Sequence, residues 1–365
     1  MNSNPKNDRL KRDYLIYLRE ARQRSAPTVE QARRAIDRLE AYTGYKDFGS
    51  FNKELARAFK KKLIASKAQR SGETIRIATA HHILQAIKEF LLWLHTQPGY
   101  RRRINPADIA YLNLSANEER QAKVTTPRRY ASLEQYRAAL FALPNTSEVE
   151  RRDKALMAFL LLTAMRDAAV VGLKLRHVSI ERGHVFQDPR EIDTKFRKAI
   201  NTFFYPVGDD VAAIVRDWVA YLTADKLYGL SDPLFPKTFV GQSHEQSFEA
   251  RGLTREHWAN AAPVRDIFKR AYEAVGLPYF QPHSVRHTIM HLAYKLELGP
   301  ADLKAWSQNM GHENVATTLN SYGALTLEQQ EDLLAGLNRR KAEEAGDGYV
   351  VALRRLLSKL EKEQH

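Results

Sequence analysis

Between residues 8 and 96 apolar residues recur at helical spacing in four successive stretches, and this pattern restricts the fold more than any other feature. In 8–24, Leu10, Tyr14 and Leu18 form one stripe. After Ser25-Ala26-Pro27, Thr28 is placed to cap a second helix that turns Val29, Ala32, Ala35 and Leu39 inward and stops near Gly44. A third helix is expected over 52–67, with Lys60-Lys61-Lys62 on it. The fourth and longest spans 73–96, and its run Phe90-Leu91-Leu92-Trp93-Leu94 should be buried. Four helices in this span make a small all-α domain.

Beyond it the chain is punctuated. Pro98-Gly99, Asn105-Pro106 and the polar run after Ser115 read as a connection. A length of 365 residues suits two domains. The expected division is a helical domain over 1–115, a linker over 116–129, a second domain over 130–325 and a helical tail over 326–365. The second domain opens with helical patterns at 132–144 and 151–165. The period then changes. HVFQ, EIDTKF and TFFYPVG look like three short strands, with RKAIN as the hairpin between the last two. Helical patterns resume after Asp209 and run to about residue 275, interrupted by a surface loop from Gly241 to Gly252. The fold class is therefore mainly α with a small antiparallel sheet: a four-helix domain followed by a mixed α+β domain.

Composition narrows the function. No cysteine is present, which removes disulfides, thiolate catalysis and cysteine zinc sites. No run of 18 apolar residues exists, so no membrane span is expected, and MNSNPKNDRLKRDY has no apolar stretch of a secretory signal. A cytoplasmic protein is expected. The net charge is +14, and it is unevenly placed. Residues 1–130 hold 27 Lys and Arg against 13 Asp and Glu, whereas residues 131–365 hold 30 of each. A module that grips a polyanion explains this asymmetry, and nucleic acid is the natural one.

Four segments of the second domain carry residues suited to one task. Arg166 sits in TAMRDAAVVGLKL, just after the apolar Leu160-Leu161-Leu162. A guanidinium there needs an anionic partner, either Asp167 or another acid, or a ligand. His283 and Arg286 stand three apart in FQPHSVRHTIMHLAY, after a helix-starting Pro282, and would share a helix face. His283, His287 and His291 also recur every four residues, as metal ligands could, but HExxH is absent and Arg286 would sit beside the cation. His287 and His291 read better as core histidines. Gly311-His312 follows, and then Tyr322. On one straight helix those ten residues would separate His312 and Tyr322 by about 15 Å and point them about 80° apart. The chain must break between them if both meet one substrate. Two guanidiniums and two imidazoles supply donors for the nonbridging oxygens of a phosphodiester, whose charge grows on attack. Tyr322 is the candidate nucleophile among them. No carboxylate cluster for paired metal ions and no phosphate-binding glycine loop is evident, so no metal or other cofactor is expected.

Arg166 in its segment, His283-x-x-Arg286, Gly311-His312 and Tyr322 together resemble, in order and spacing, the tyrosine recombinases, which include phage integrases and Xer-type enzymes. The resemblance covers roughly residues 10–325 and is strongest over 280–322. It implies a core-binding domain and a catalytic domain that clamp double-stranded DNA from two sides. It implies tyrosine attack on a phosphodiester, a 3′-phosphotyrosyl link and a free 5′-hydroxyl, with Arg166, His283, Arg286 and His312 holding the phosphate. It also implies a general-acid lysine on a hairpin between the second and third strands. Lys195 follows Thr194 and is preferred over Lys198. The expected function is site-specific recombination of a mobile element, with four protomers on DNA and a nucleoid-associated location. A monomeric type IB topoisomerase-like enzyme and a non-catalytic DNA-binding relative are the alternatives. One position departs from the family, because Ala169 stands where an acidic residue is usual three after the first arginine.

After Tyr322 come LEQQEDLLAGL, a polar stretch from Asn338 to Gly348, and a last helical pattern with Tyr349, Leu353, Leu356 and Leu360 on one stripe. That stripe needs a partner, either its own catalytic domain or, as the resemblance implies, a neighbouring protomer. The charge map yields a test. Cutting the chain between residues 116 and 128 should leave most nonspecific DNA binding with the N-terminal fragment. Its affinity should fall steeply with salt, as condensed counterions are displaced on binding. An equal salt slope for the 130–365 fragment, measured by fluorescence anisotropy, would contradict the map.

Overall fold

The structure, a computed structural model, describes residues 3–67, 72–123, 129–192, 194, 198–242, 248–322, 325, 327–328 and 330–336. Each helix expected in the first hundred residues forms. The first, α1 (Pro5–Glu20), starts where the Asn4 side chain accepts from the Lys6 and Asn7 amides. The second, α2 (Ala26–Tyr42), begins earlier than a cap at Thr28 would allow, because a proline is tolerated in a first turn and Ser25 takes the N-cap position. α3 (Lys53–Ile64) is capped by Asn52, and α4 (Ile77–His95) carries the deepest apolar face, with Leu84, Ile87, Phe90, Leu91 and Leu94 at most 1% exposed. Tyr14, Phe48 and Trp93 pack around the Phe90 ring.

Two shorter helices follow, α5 (Pro106–Ile109) and α6 (Ala116–Lys123). The sequence reading placed 116–123 in a linker. The segment is instead a helix that packs along α4. It lacks an apolar stripe, and that absence hid it. The chain divides into two units, Met1–Thr126 and Pro127–His365.

The second unit is built around one buried helix. α7 (Leu133–Ala142) and α8 (Glu148–Thr163) each open with a capping box, Ser132 with Gln135 and Ser147 with Glu150. From Ala155 to Leu162 every residue of α8 is at most 2% exposed, so this helix is apolar on all sides because it is surrounded. After Ala164 the chain turns into α9 (Asp167–Val170), which leads to the sheet.

The sheet differs in part from expectation. Its strands are β1 (Val178–Ser179), β2 (His184–Gln187) and β3 (Ile200–Phe203), antiparallel in that order, with Val185 opposite Thr202. HVFQ is a strand as read, and TFFYPVG contributes only its beginning. Of EIDTKF, Glu191 and Ile192 lie in a turn instead of a strand, while Asp193, Lys195 and Phe196 lie outside the described residues. Asp188 folds the chain into a turn, accepting the Glu191 and Ile192 amides on its carbonyl and the Arg190 amide on its carboxylate. β3 is pinned beyond its own sheet: the Asn309 side chain accepts from the Phe203 amide and donates to the Phe203 carbonyl.

After α10 (Asp209–Ala220), the stretch read as a loop from Gly241 to Gly252 is a hairpin, β4 (Thr238–Gln242) with β5 (Phe248–Leu253). The two glycines masked its strand character. Then come α11 (Ala262–Glu273), α12 (Val285–Lys295), α13 (Pro300–Asn309) and α14 (Val315–Tyr322). Residues 330–336 are helical, while Lys195 and the last expected helix lie outside the described residues. Among the described residues no helix is long and apolar enough to cross a membrane.

The turn between α13 and α14 has one demanding position. Gly311 has φ +76°, and a Cβ there would meet the Ile200 side chain at 3.0 Å. Gly311→Ala should therefore lose about 1–2 kcal/mol from the left-handed backbone alone. Chemical denaturation of the full chain measures this, and an unchanged midpoint would show that the turn relaxes freely.

Candidate active site

Arg286 stands at the second position of α12 and is 1% exposed. Its guanidinium cannot be left unpaired at that depth. Nη1 donates to the Ala164 carbonyl at 2.8 Å, and Nη2 donates to the Met310 carbonyl at 2.8 Å. Ala164 ends α8 in the left-handed region at φ +47°, which is uncommon for a residue with a Cβ and turns its carbonyl toward Arg286. One side chain thus ties the end of α8 to the end of α13. Its Nε, also buried, has no hydrogen-bond partner among the described residues.

The other expected residues gather on this tie. Arg166 lies two residues past Ala164, half-buried at the start of α9. Burial first, and the Arg286 charge second, pull its pKa below the ordinary value, while Tyr322 acts in the opposite sense. It remains a cation at any working pH. Asp167 does not pair with it. That carboxylate faces Arg265 of α11 at 3.5 Å instead. Ala169, three after Arg166, is 2% exposed and offers no charge. Neither Arg166 nor Arg286 has a carboxylate partner among the described residues.

His312 follows Met310 and Gly311, and its Nε2 lies 2.9 Å from Arg286 Nη2. α14 begins only at Val315, so the chain does break between His312 and Tyr322. The break brings them together. Their rings stack with centroids 5.5 Å apart and 6° between planes. The Arg286 guanidinium lies 5.0 Å from the centre of the Tyr322 ring. His283, in a tight helical turn over Pro282–Ser284, places Nε2 3.2 Å from the Tyr322 hydroxyl. Five of the six candidates therefore converge: Arg166, His283, Arg286, His312 and Tyr322. The sixth, Lys195, lies outside the described residues. Lys198 is described, in the connection between β2 and β3, where its ammonium pairs with Glu313 and holds that carboxyl below its usual range.

His287 was read as a core histidine, and it is 7% exposed. Its ring also packs edge-on against Tyr322 at 5.0 Å, one helical turn beyond His283. The i, i+4 spacing held that signal. His291 continues along α12 beside Tyr130, and no group of three His, Asp or Glu side chains among the described residues could hold a metal ion.

Residues 132–329 match the phage integrase family. The tyrosine recombinase XerC of Corynebacterium glutamicum is 29% identical over 175 residues, 48% of this chain and 47% of that protein. The transposase from transposon Tn916 of Enterococcus faecalis is 26% identical over 235 residues, 60% of this chain and 54% of that protein. The chain thus spans about half the length of the curated relatives it matches. In fold it is similar to a λ integrase fragment crystallised as a dimer bound to a COC′ core site, with TM-score 0.58 and 14% identity over 85% of this chain and 93% of that one.

The two guanidiniums should differ in what their loss does to stability. Arg286→Met removes two charge-assisted bonds to buried carbonyls and should cost about 2–4 kcal/mol in an anion-poor buffer. Arg166→Met removes no hydrogen bond within the described residues and relieves repulsion, so it should stay within about 0.5 kcal/mol of the parent or exceed it. Paired urea titrations decide. A larger loss for Arg166→Met would reverse the assignment of Arg286 as the structural tie.

Proposed function

The chain belongs to the phage integrase family, and from that premise we propose that it is a tyrosine recombinase that breaks and rejoins double-stranded DNA of a mobile element. The observation that carries the reading is the convergence on Tyr322 of two imidazoles and two guanidiniums, the latter without carboxylate partners among the described residues. Such a set is rich in donors suited to an anion.

In this reading Tyr322 Oη attacks the scissile phosphorus. Its proton leaves toward His283 Nε2, 3.2 Å away. The new P–O bond makes a 3′-phosphotyrosine, and the P–O5′ bond breaks. Arg166, Arg286 and His312 donate to the nonbridging oxygens, whose charge increases as the phosphorus becomes five-coordinate. The leaving 5′ oxygen needs a proton, and a lysine in the β2–β3 connection would give it, Lys195 in preference to Lys198. The reverse attack by a 5′-hydroxyl rejoins the strand. The phosphotyrosine keeps the energy of the broken bond, so no cofactor is required.

Exchange between two duplexes needs four active sites, and a tetramer on DNA is proposed accordingly, with a cytoplasmic, nucleoid-associated location. The likeness to a transposon transposase supports a mobile element as the source of the DNA. The basic first unit supplies sequence-independent hold on the phosphates.

Tyr322→Phe removes one hydroxyl and leaves the stacked ring. It should abolish the covalent protein–DNA adduct on duplex taken from the flanks of the protein's own gene, with binding within about twofold. A denaturing gel that shows an adduct with the Phe variant would sink the assignment of the nucleophile.

A further inference from the structure

His312 is gripped on three sides. Arg286 Nη2 meets its Nε2 at 2.9 Å, the Tyr322 ring stacks on its face, and the Thr318 hydroxyl lies 2.7 Å from its Nδ1. Behind Thr318, at 2.7 Å, is the hydroxyl of Ser307 on α13. Thr318 and Ser307 are both 0% exposed. Hydroxyls so deep are costly unless each is bonded. Nothing in the proposed cleavage chemistry uses them directly.

We propose that Thr318, backed by Ser307, is a positioning residue that hydrogen-bonds His312 Nδ1 in either tautomer and holds the Tyr322 ring in register with it. This rests on the reading of His312 as a phosphate ligand. The donors dictate the unliganded arrangement. A guanidinium only donates, so Nε2 accepts from Arg286 and the neutral ring carries its proton on Nδ1. Nδ1–H then donates to Thr318 Oγ1, and the Thr318 hydroxyl donates to Ser307 Oγ. To donate to a phosphate oxygen, Nε2 must carry the proton instead. The neutral ring gives up one proton at Nδ1 and takes one at Nε2, both exchanged with water, and its charge is unchanged. Thr318 then donates to Nδ1 and accepts from Ser307. Two hydroxyl rotations achieve this at the Thr318 end, while at the other end Nε2–H and Arg286 Nη2, both donors now, must part and turn to the phosphate. The hydrogen bond at one ring nitrogen decides what the other can do.

The helix adds a second consequence. Thr318 and Tyr322 are four apart on α14 and share a face. That face holds the edge of the His312 ring with one residue and its plane with the other. Without the Thr318 hydroxyl, His312 loses its Nδ1 hydrogen bond and the ring stack loses its reference.

The test uses the full chain with Thr318→Val, which keeps the shape and removes the hydroxyl, and Thr318→Ser, which keeps the hydroxyl. Nitrogen-15 NMR of labelled histidine in the free protein reads the His312 tautomer. Adduct formation is timed on the same gene-flanking duplex, nicked so that cleavage is irreversible. Thr318→Val should shift the His312 Nδ1 signal by removing its hydrogen bond and slow adduct formation about 10- to 100-fold, with DNA affinity within about twofold. Thr318→Ser should stay within about threefold of the parent, and Thr318→Val should cost nothing further in a His312→Ala background. An unchanged Nδ1 signal and rate in Thr318→Val would overturn the proposal. So would an equal loss in the His312→Ala background, or a Ser variant as slow as the Val variant. Should His312→Ala alone cleave like the parent while Thr318→Val still moves the Nδ1 signal, the phosphate role of His312 falls and the positioning of its ring stands.

Discussion

A single buried cation organises the second unit. Arg286 can sit at 1% exposure only because two main-chain carbonyls, 122 and 24 residues away in sequence, are turned to receive it. Each of those carbonyls ends a helix, where the last C=O groups lack intrahelical partners and carry the negative end of the dipole. The bonds therefore satisfy the guanidinium and the helix ends at once. They also fix two neighbours. Arg166 follows the first carbonyl by two residues and His312 follows the second by two, so the same contacts that stabilise Arg286 deliver the flanking donors. The strained Ala164 backbone is held by α8, whose surroundings are packed on every side.

Among the described residues Arg166 and Arg286 meet no carboxylate, and this is a matter of geometry and not of a lack of acids. Thirty acidic residues lie beyond residue 130, yet those nearest in sequence are directed elsewhere. Asp167 faces Arg265, and Glu313 pairs with Lys198. Ala169 contributes a methyl group to the core. Two adjacent cations repel, and burial weakens the water that would screen them. An anion placed between them would relieve that repulsion, whereas a neutral ligand would not. Under the proposed function, this would favour the negative charge that develops on the phosphate.

Much of this was legible in the sequence, and the reasons differ by feature. The four N-terminal helices announced themselves because their apolar stripes are long. The residues that come together around Tyr322 could be grouped from the sequence because arginine, histidine and tyrosine in that order have few shared uses outside phosphate chemistry. Shorter and more polar elements were not. β1 is only two residues, the β4–β5 hairpin begins and ends among glycines, and α6 has no apolar face. EIDTKF alternates like a strand, but at its described start, Glu191 and Ile192, the turn at Asp188 wins, since Asp188 bonds three following amides. Ser307 and Thr318 were invisible for a further reason. A hydroxyl has no meaning in sequence until the fold shows that it meets another across eleven residues and an imidazole across six.

That last point bears on how Tyr322, the proposed nucleophile, is placed. α14 has eight residues, too few to be stable as an isolated helix. Its position must come from outside itself. The turn from Met310 to Asn314 supplies much of it: Met310 bonds Arg286, Gly311 takes the left-handed conformation, the Glu313 carbonyl accepts from Lys304, and Asn314 caps the Ala316 amide. Glu313 adds an ion pair to the connection between β2 and β3, which is itself anchored where Asn309 clasps Phe203. The surface ion pair is worth little alone. The buried carbonyl bonds of Arg286 are the stronger constraint, because their groups cannot turn to water instead. Tyr322 is therefore held by the turn after α13 together with His283, Arg286 and His287. Ser307 of α13 reaches α14 directly through Thr318, and the turn reaches the phenol ring through His312.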